Sequence, residues 1–504
     1  MRTIYDRLTE YSNSDYYGFH MPGHKRNLNM LGGSKPYEID ITEIEGFDDL
    51  HHADGILEDA QRRAAKVYHA DETHFLVNGS TVGILSAIAG VTNKGDTILV
   101  ARNCHKSVYH AIYMNELKPV YLMPAFDSDA QLNTEVSADD VREALEKNPK
   151  IRAVVIVSPT YDGVVSDVEA IAEAVHEKGI PIIVDEAHGA HFGFHPYFPE
   201  NANVRGADIV IHSLHKTLPS LTQTALLHMN GEIVRREKVR RYLHMLQSSS
   251  PSYVLMASID ACVDMLENQG EELFDPYVEM LKRTRDRLTR LQYLRVIQTE
   301  HFDRSKIVIS VKDTDMESGQ LYRLLLEVYH LQMEMVAGTY VLAMTSVGDT
   351  EKGMERLADA LEEIDLRIGK QMPEERKLGG KAARESASRA IGEQTMQSGM
   401  PLDMRMPMPE VVYSIADMEN LPDDVAEKPE DHLPVGEIRN LPWKDSVGYV
   451  AAEYAYLYPP GCPLIVPGER VSQETADMLQ WYYDQRFAIE GLRKEGYIEV
   501  WIHG

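Results

Sequence analysis

Only three cysteines occur in 504 residues, and Cys104, Cys262 and Cys462 are scattered without the spacing of a metal site or a disulfide framework. No apolar run is long enough to span a bilayer, and the opening MRTIYDRLTEYSNSD lacks the apolar stretch of a signal peptide. Positive charge is also scarce: 51 Lys and Arg stand against 79 Asp and Glu, a formal net charge of -28. That balance argues against nucleic acid or a membrane surface as partner and makes cationic small molecules plausible substrates. No internal repeat is visible. A cytoplasmic protein is the expectation, and its 43% apolar and 26% charged residues are ordinary for a globular chain. The length points to two or three folded units.

From residue 75 to about 230, short apolar runs alternate with amphipathic segments. The strands expected are FLV (75–77), TILVA (97–101), PVYLM (119–123), RAVVIV (152–157), PIIVDEA (181–187), ADIVIHS (207–213) and TALLHM (224–229). Ser166, Asp167 and Glu169 resemble a capping box opening the helix VEAIAEAVHEKG, which Gly179 ends. Apolar strands separated by helices predict a mostly parallel α/β sheet covered on both faces. Ligands gather at the carboxyl edge of such sheets, so the strand ends carry the functional argument.

Four strand ends bear groups that suit one cofactor. In VNGSTVG (77–83), a helix start with Ser80 and Thr81 makes an anion cradle, although Ser80 could equally be a helix N-cap. His105, in RNCHKSVYH, begins the next helix and could lay its flat ring over an aromatic cofactor. Asp185 closes a strongly apolar strand, where a carboxylate needs a positive partner such as a protonated pyridine nitrogen. Lys216 follows ADIVIHS, with Ser213 and His215 able to reach a phosphate. A phosphate cradle, a stacking ring, a pyridinium carboxylate and an imine-forming lysine are the parts of a pyridoxal 5'-phosphate site. The alternative, a metal bound by His188, His191 and His195 with Asp185 and Glu186, has no companion ligand cluster elsewhere.

The motifs FHMPGHKRN (19–27), VNGSTVG, RNCHKS, SPTYDG (158–163), VDEAHGAH (184–191), HSLHK (212–216) and YPPGCPLIVPGE (458–469) resemble the Orn/Lys/Arg decarboxylase family. The resemblance implies an aspartate-aminotransferase-like, fold type I pyridoxal-phosphate enzyme, in a short bacterial form similar to biosynthetic arginine decarboxylases. Lys216 would then be the imine lysine, Asp185 the pyridinium partner and His105 the stacking ring. Ser80, Thr81, Ser213 and His215 would surround the phosphate, and His188 and Thr160 would sit beside the ring. The implied reaction is decarboxylation of a basic L-amino acid, arginine first and then lysine or ornithine, feeding polyamine synthesis. Lys216 or a histidine would be the general acid. Glu469 is a candidate for the substrate's cationic end, or else caps a helix. A homodimer with shared sites is implied, with 19–27 and the loop 44–55 as contributors.

Four segments are expected: a large domain with its N-terminal segment (1–292), a small α/β domain (293–369), a linker or insertion (370–445) and a C-terminal α+β domain (446–504). The stretch LQMEMVAGTYVLAMTS (331–346) holds no arginine to clamp a substrate carboxylate, which leans away from the rival aminotransferase reading. A non-catalytic regulator would need neither Lys216 nor Asp185.

Overall fold

The computed structural model describes residues 15–19, 41–44, 47–371, 405–419, 436–457 and 461–503. The segment 19–27, expected at a shared site, therefore lies almost wholly outside the described residues, as does much of 370–445.

Strand β1 (Tyr17–Phe19) comes first, followed by β2 (Glu72–Leu76), β3 (Thr97–Ala101), β4 (Lys118–Leu122) and a short hairpin of β5 (Phe126–Asp127) and β6 (Leu132–Asn133). Then come β7 (Ile151–Val157), β8 (Ile182–Asp185), β9 (Ile209–His212) and β10 (Ala225–Met229). Seven of these form one sheet in the order β2-β10-β9-β8-β7-β3-β4. All neighbours pair in parallel except β10, which runs against both β9 and β2. Every residue of β8, β9 and β10 is buried, as expected where helices cover both faces. The helix Val168–His176 starts at Asp167, whose side chain accepts from the Ala170 amide, and the chain turns away at Gly179 with φ 66°.

The small unit is an antiparallel sheet in the order β11-β12-β15-β14, from β11 (Arg295–Ile297), β12 (Lys306–Ser310), β14 (Met335–Ala337) and β15 (Tyr340–Met344). The helices Ser318–Glu327 and Glu351–Gln371 belong to it. Before β14, β13 (Leu331–Met333) pairs in parallel with β1, so residues 17–19 lie against the small unit. Tyr17 fixes this placement: its hydroxyl donates to Asp349 at 2.9 Å and accepts from the Thr350 amide at 2.9 Å. The ring occupies the space over Gly353, where an added Cβ would stand 1.8 Å from it.

The C-terminal unit contains β16 (Gly436–Pro442), β17 (Val450–Ala451), β18 (Ala455–Leu457), β19 (Cys462–Ile465), β20 (Ile489–Glu490) and β21 (Tyr497–His503), with the helix Gln473–Asp484. Because β16 pairs with β21 along its whole length, residues 436–442, expected in the linker, belong to this unit. The small and large units share one apolar core along the helix Tyr253–Leu288, a second core fills the large sheet, and a third, around Trp443 and Trp481, is the C-terminal unit's own.

Candidate active site

The carboxyl edge of β8 and β9 brings an amine, a carboxylate and two imidazoles together. Lys216 sits in the one-turn helix Leu214–Thr217 directly after β9, and Asp185 is the last residue of β8. Lys216 Nζ lies 2.8 Å from His188 Nε2. Burial lowers the amine to about 8, while the negative charges of Asp185 and Glu334 pull it back upward. His188 is driven well below the usual histidine range by burial and by the charges of Lys216 and Lys306. It is therefore neutral, and its Nε2 can accept from the ammonium.

His105 is the N-cap of the helix Lys106–Met114, and its Nδ1 accepts from the Ser107 amide at 3.2 Å. Burial, then Lys216 and Lys106, lower it to about 3, so it offers a neutral flat ring. Asp185 is 4% exposed, its pKa raised by burial and held down by Lys216, the Ala187 N–H and His212. Thr160 closes a tight turn after β7, its Oγ1 accepting from the Val164 amide at 3.0 Å.

The phosphate side of the site is set by the helix Gly79–Val91. Its N-cap is Asn78, which makes no side-chain cap, so Ser80 is not the capping residue; it lies with Thr81 in the first turn. Asn78 Oδ1 accepts instead from the Ser248 amide, which leaves the helix's first N–H groups to another acceptor. Gly79, at φ 74°, donates its N–H to Gln223 O, and His215 Nδ1 bonds to the neighbouring Thr224 O at 2.9 Å. The turn 223–224 thus ties His215 to the helix start. Ser213 is fully buried, and its hydroxyl has no hydrogen-bond partner among the described residues. An orphan hydroxyl, free helix amides, a lysine and a strand-end carboxylate fit a phosphorylated pyridine aldehyde.

One expected site residue is placed elsewhere. Glu469 is 2% exposed and is gripped by Arg102, with Nη1 and Nη2 at 2.8 and 2.9 Å, and it accepts from the Val466 amide. It does not cap a helix, and both its oxygens are held by Arg102 in a buried pair that joins the end of β3 to the C-terminal unit. The histidines that suggested a metal also disperse: His191 pairs with Asp303, His195 with Asp275, and Glu186 with His212. Among the described residues, no group of three or more possible ligands converges.

Several neighbours of the site escape a sequence reading. Lys306, opening β12, is fully buried against Asp303 at 2.6 Å and donates to His188 O at 3.2 Å. Tyr161 stands with its ring 4.4 Å from that of His188 and donates to Glu334. The signal for Lys306 and Arg102 was present, since each is a charge at the end of an apolar strand and so demands a partner.

The sheet order, the lysine after β9 and the carboxylate closing β8 define an aspartate-aminotransferase-like enzyme of fold type I, with pyridoxal phosphate as its cofactor. More narrowly, the chain belongs to the Orn/Lys/Arg decarboxylase family: the family's major domain matches residues 3–334 and its C-terminal domain residues 415–488. It is 34% identical to the uncharacterized protein YaaO of Bacillus subtilis over 97% of this chain and 96% of that one. With a Bacillus subtilis arginine decarboxylase it shares 29% identity over 97% of this chain and 95% of that one. The crystal structure of a Francisella novicida lysine decarboxylase superposes with a TM-score of 0.75 at 20% identity, covering 99% of this chain and 80% of that one.

Proposed function

We propose that the protein decarboxylates a basic L-amino acid, arginine first and then lysine or ornithine, to the amine and carbon dioxide. The observation that carries this reading is the half-buried Lys216 amine beside Asp185, neutral His188 and His105 at one sheet edge. Membership of the family supports the reaction, and the 29% identity to an arginine decarboxylase supports the order of substrates. When bound, pyridoxal phosphate supplies the electron sink that makes loss of the α-carboxylate possible.

The chain's own residues do the rest. Lys216 is the amine that would anchor the cofactor, and Asp185 would accept the hydrogen bond of the ring N–H and keep that proton in place. Ser80, Thr81, Ser213 and His215, with the amides of the first helical turn, would hold the phosphate; His105 would lie against the ring and Thr160 beside it. His188 Nε2 takes a hydrogen bond from Lys216 Nζ, aiming the amine whose pKa near 8 suits it to return a proton to the α-carbon. The working form in this reading is a cytoplasmic homodimer with shared sites that feeds polyamine synthesis.

The deciding experiment offers arginine, lysine and ornithine to the purified, cofactor-loaded protein, with and without a keto acid. Amine and carbon dioxide are expected without the keto acid. Turnover that requires it makes the enzyme an aminotransferase. A protein with no imine absorbance, unchanged by Lys216→Ala, is a regulator.

A further inference from the structure

A cavity of about 110 Å³ lies where the turn after β7, the β5–β6 hairpin, the small unit and the C-terminal unit meet. It borders the site just described. Tyr161 lines it, and that ring stands 4.4 Å from His188, which in turn contacts Lys216 at 2.8 Å. Thr160 and Asn103 line it as well.

The buried polar atoms on its wall that lack a partner among the described residues are all carbonyl oxygens. Asn103 Oδ1, Gln131 Oε1 and Asn133 Oδ1 are buried there without a hydrogen-bond partner among the described residues. Gln131 spends its amide nitrogen on Ser128 O, so the oxygen is what remains. Asp162 adds a carboxylate that accepts from the Tyr340 hydroxyl and faces no cation among the described residues. Burial pushes its pKa up to about 6, so at neutral pH it is an ionised group in want of a counter-charge. The remaining wall is largely apolar, including Phe126 and Met335.

An anion would be repelled here, and an apolar guest would leave three carbonyl oxygens stranded. A guanidinium or ammonium on a methylene stem suits these three oxygens and the Asp162 carboxylate, because such cations donate hydrogen bonds and accept none. We propose that this cavity receives the cationic end of the substrate side chain, with Asp162 as counter-charge and Asn103, Gln131 and Asn133 as acceptors. The assignment rests on the decarboxylase reading and gives it a specificity site in place of Glu469.

The test is calorimetric titration of the cofactor-loaded protein with agmatine and cadaverine, comparing wild type, Asp162→Asn and Asn133→Leu. Amine affinity is expected to fall about 100-fold in Asp162→Asn and about 10-fold in Asn133→Leu. KM for the preferred amino acid rises in parallel, kcat changes little, and the imine absorbance is retained. Equal affinity in wild type and both variants, or no amine binding by wild type, overturns the proposal. Should Asp162→Asn fail to fold, Asn133→Leu alone decides. If no basic amino acid is decarboxylated but the amine series behaves as expected, the reaction assignment falls and the cation site stands.

Discussion

Lys216 shows how one side chain is tuned by opposed effects. Burial favours its neutral form, bringing the amine from 10.5 to about 8, while Asp185 and Glu334 favour the ammonium. The folded cofactor-free protein therefore carries a penalty from this lysine at every pH below about 8, and the penalty disappears as pH rises toward 10.5. Two outcomes follow from that sign. Reductive trapping of the amine by a small aldehyde, on cofactor-free protein, should show a midpoint near pH 8, and Asp185→Asn should move it lower because a negative charge favouring the ammonium is lost. Wild type should also gain unfolding stability between pH 8 and 10 relative to Lys216→Met. A midpoint in the ordinary lysine range would mean that the amine is solvated and that its role has been misread.

At the scale of elements, legibility follows how much local chemistry each segment displays. Strands such as β3, β9 and β12 are buried almost throughout, so their apolar runs announce them. Asp185 and Lys216 are legible for the converse reason, since a charge ending such a run has to be explained. β16 is mostly solvent-facing and polar, so its existence depends on a partner strand about sixty residues later and leaves no period to read. The attachment of β1 to β13 is equally non-local. Glu469 was misread because its motif does not reveal Arg102, which lies 367 positions away. With both side chains almost wholly buried, Glu469→Gln strands a guanidinium and should cost about 3–5 kcal/mol. Denaturant unfolding would measure that loss. Hydrogen exchange should place the earliest opening at 436–503, while the ratio of kcat/KM among arginine, lysine and ornithine stays unchanged. A changed ratio would return Glu469 to the substrate pocket.

Across the whole molecule, the small and large units are joined at the site by a fully buried charge network. Asp303 and Lys306 lie 2.6 Å apart with no exposed side-chain surface; His191 reaches Asp303 at 3.1 Å, and Lys306 donates to the His188 carbonyl at 3.2 Å. Burial alone would raise the Asp303 carboxyl, but Lys306 and His191 outweigh it and hold it far below the usual carboxylate range. This stabilisation is complete above the ordinary carboxylate pKa near 4 and fades as pH falls below it. Asp303→Asn leaves a buried ammonium and should cost about 3–5 kcal/mol, and Lys306→Met leaves a buried carboxylate at a similar cost. The double variant Asp303→Asn/Lys306→Met removes both charges and should recover most of the stability, with a shallower loss of unfolding midpoint between pH 4 and 2. Its turnover should nevertheless stay roughly tenfold below wild type, because the lysine that fixes the loop carrying His188 is gone. Recovery of stability and rate together would make the network a fastening between units and nothing more; recovery of stability alone ties the seam between them to the placement of His188 on Lys216.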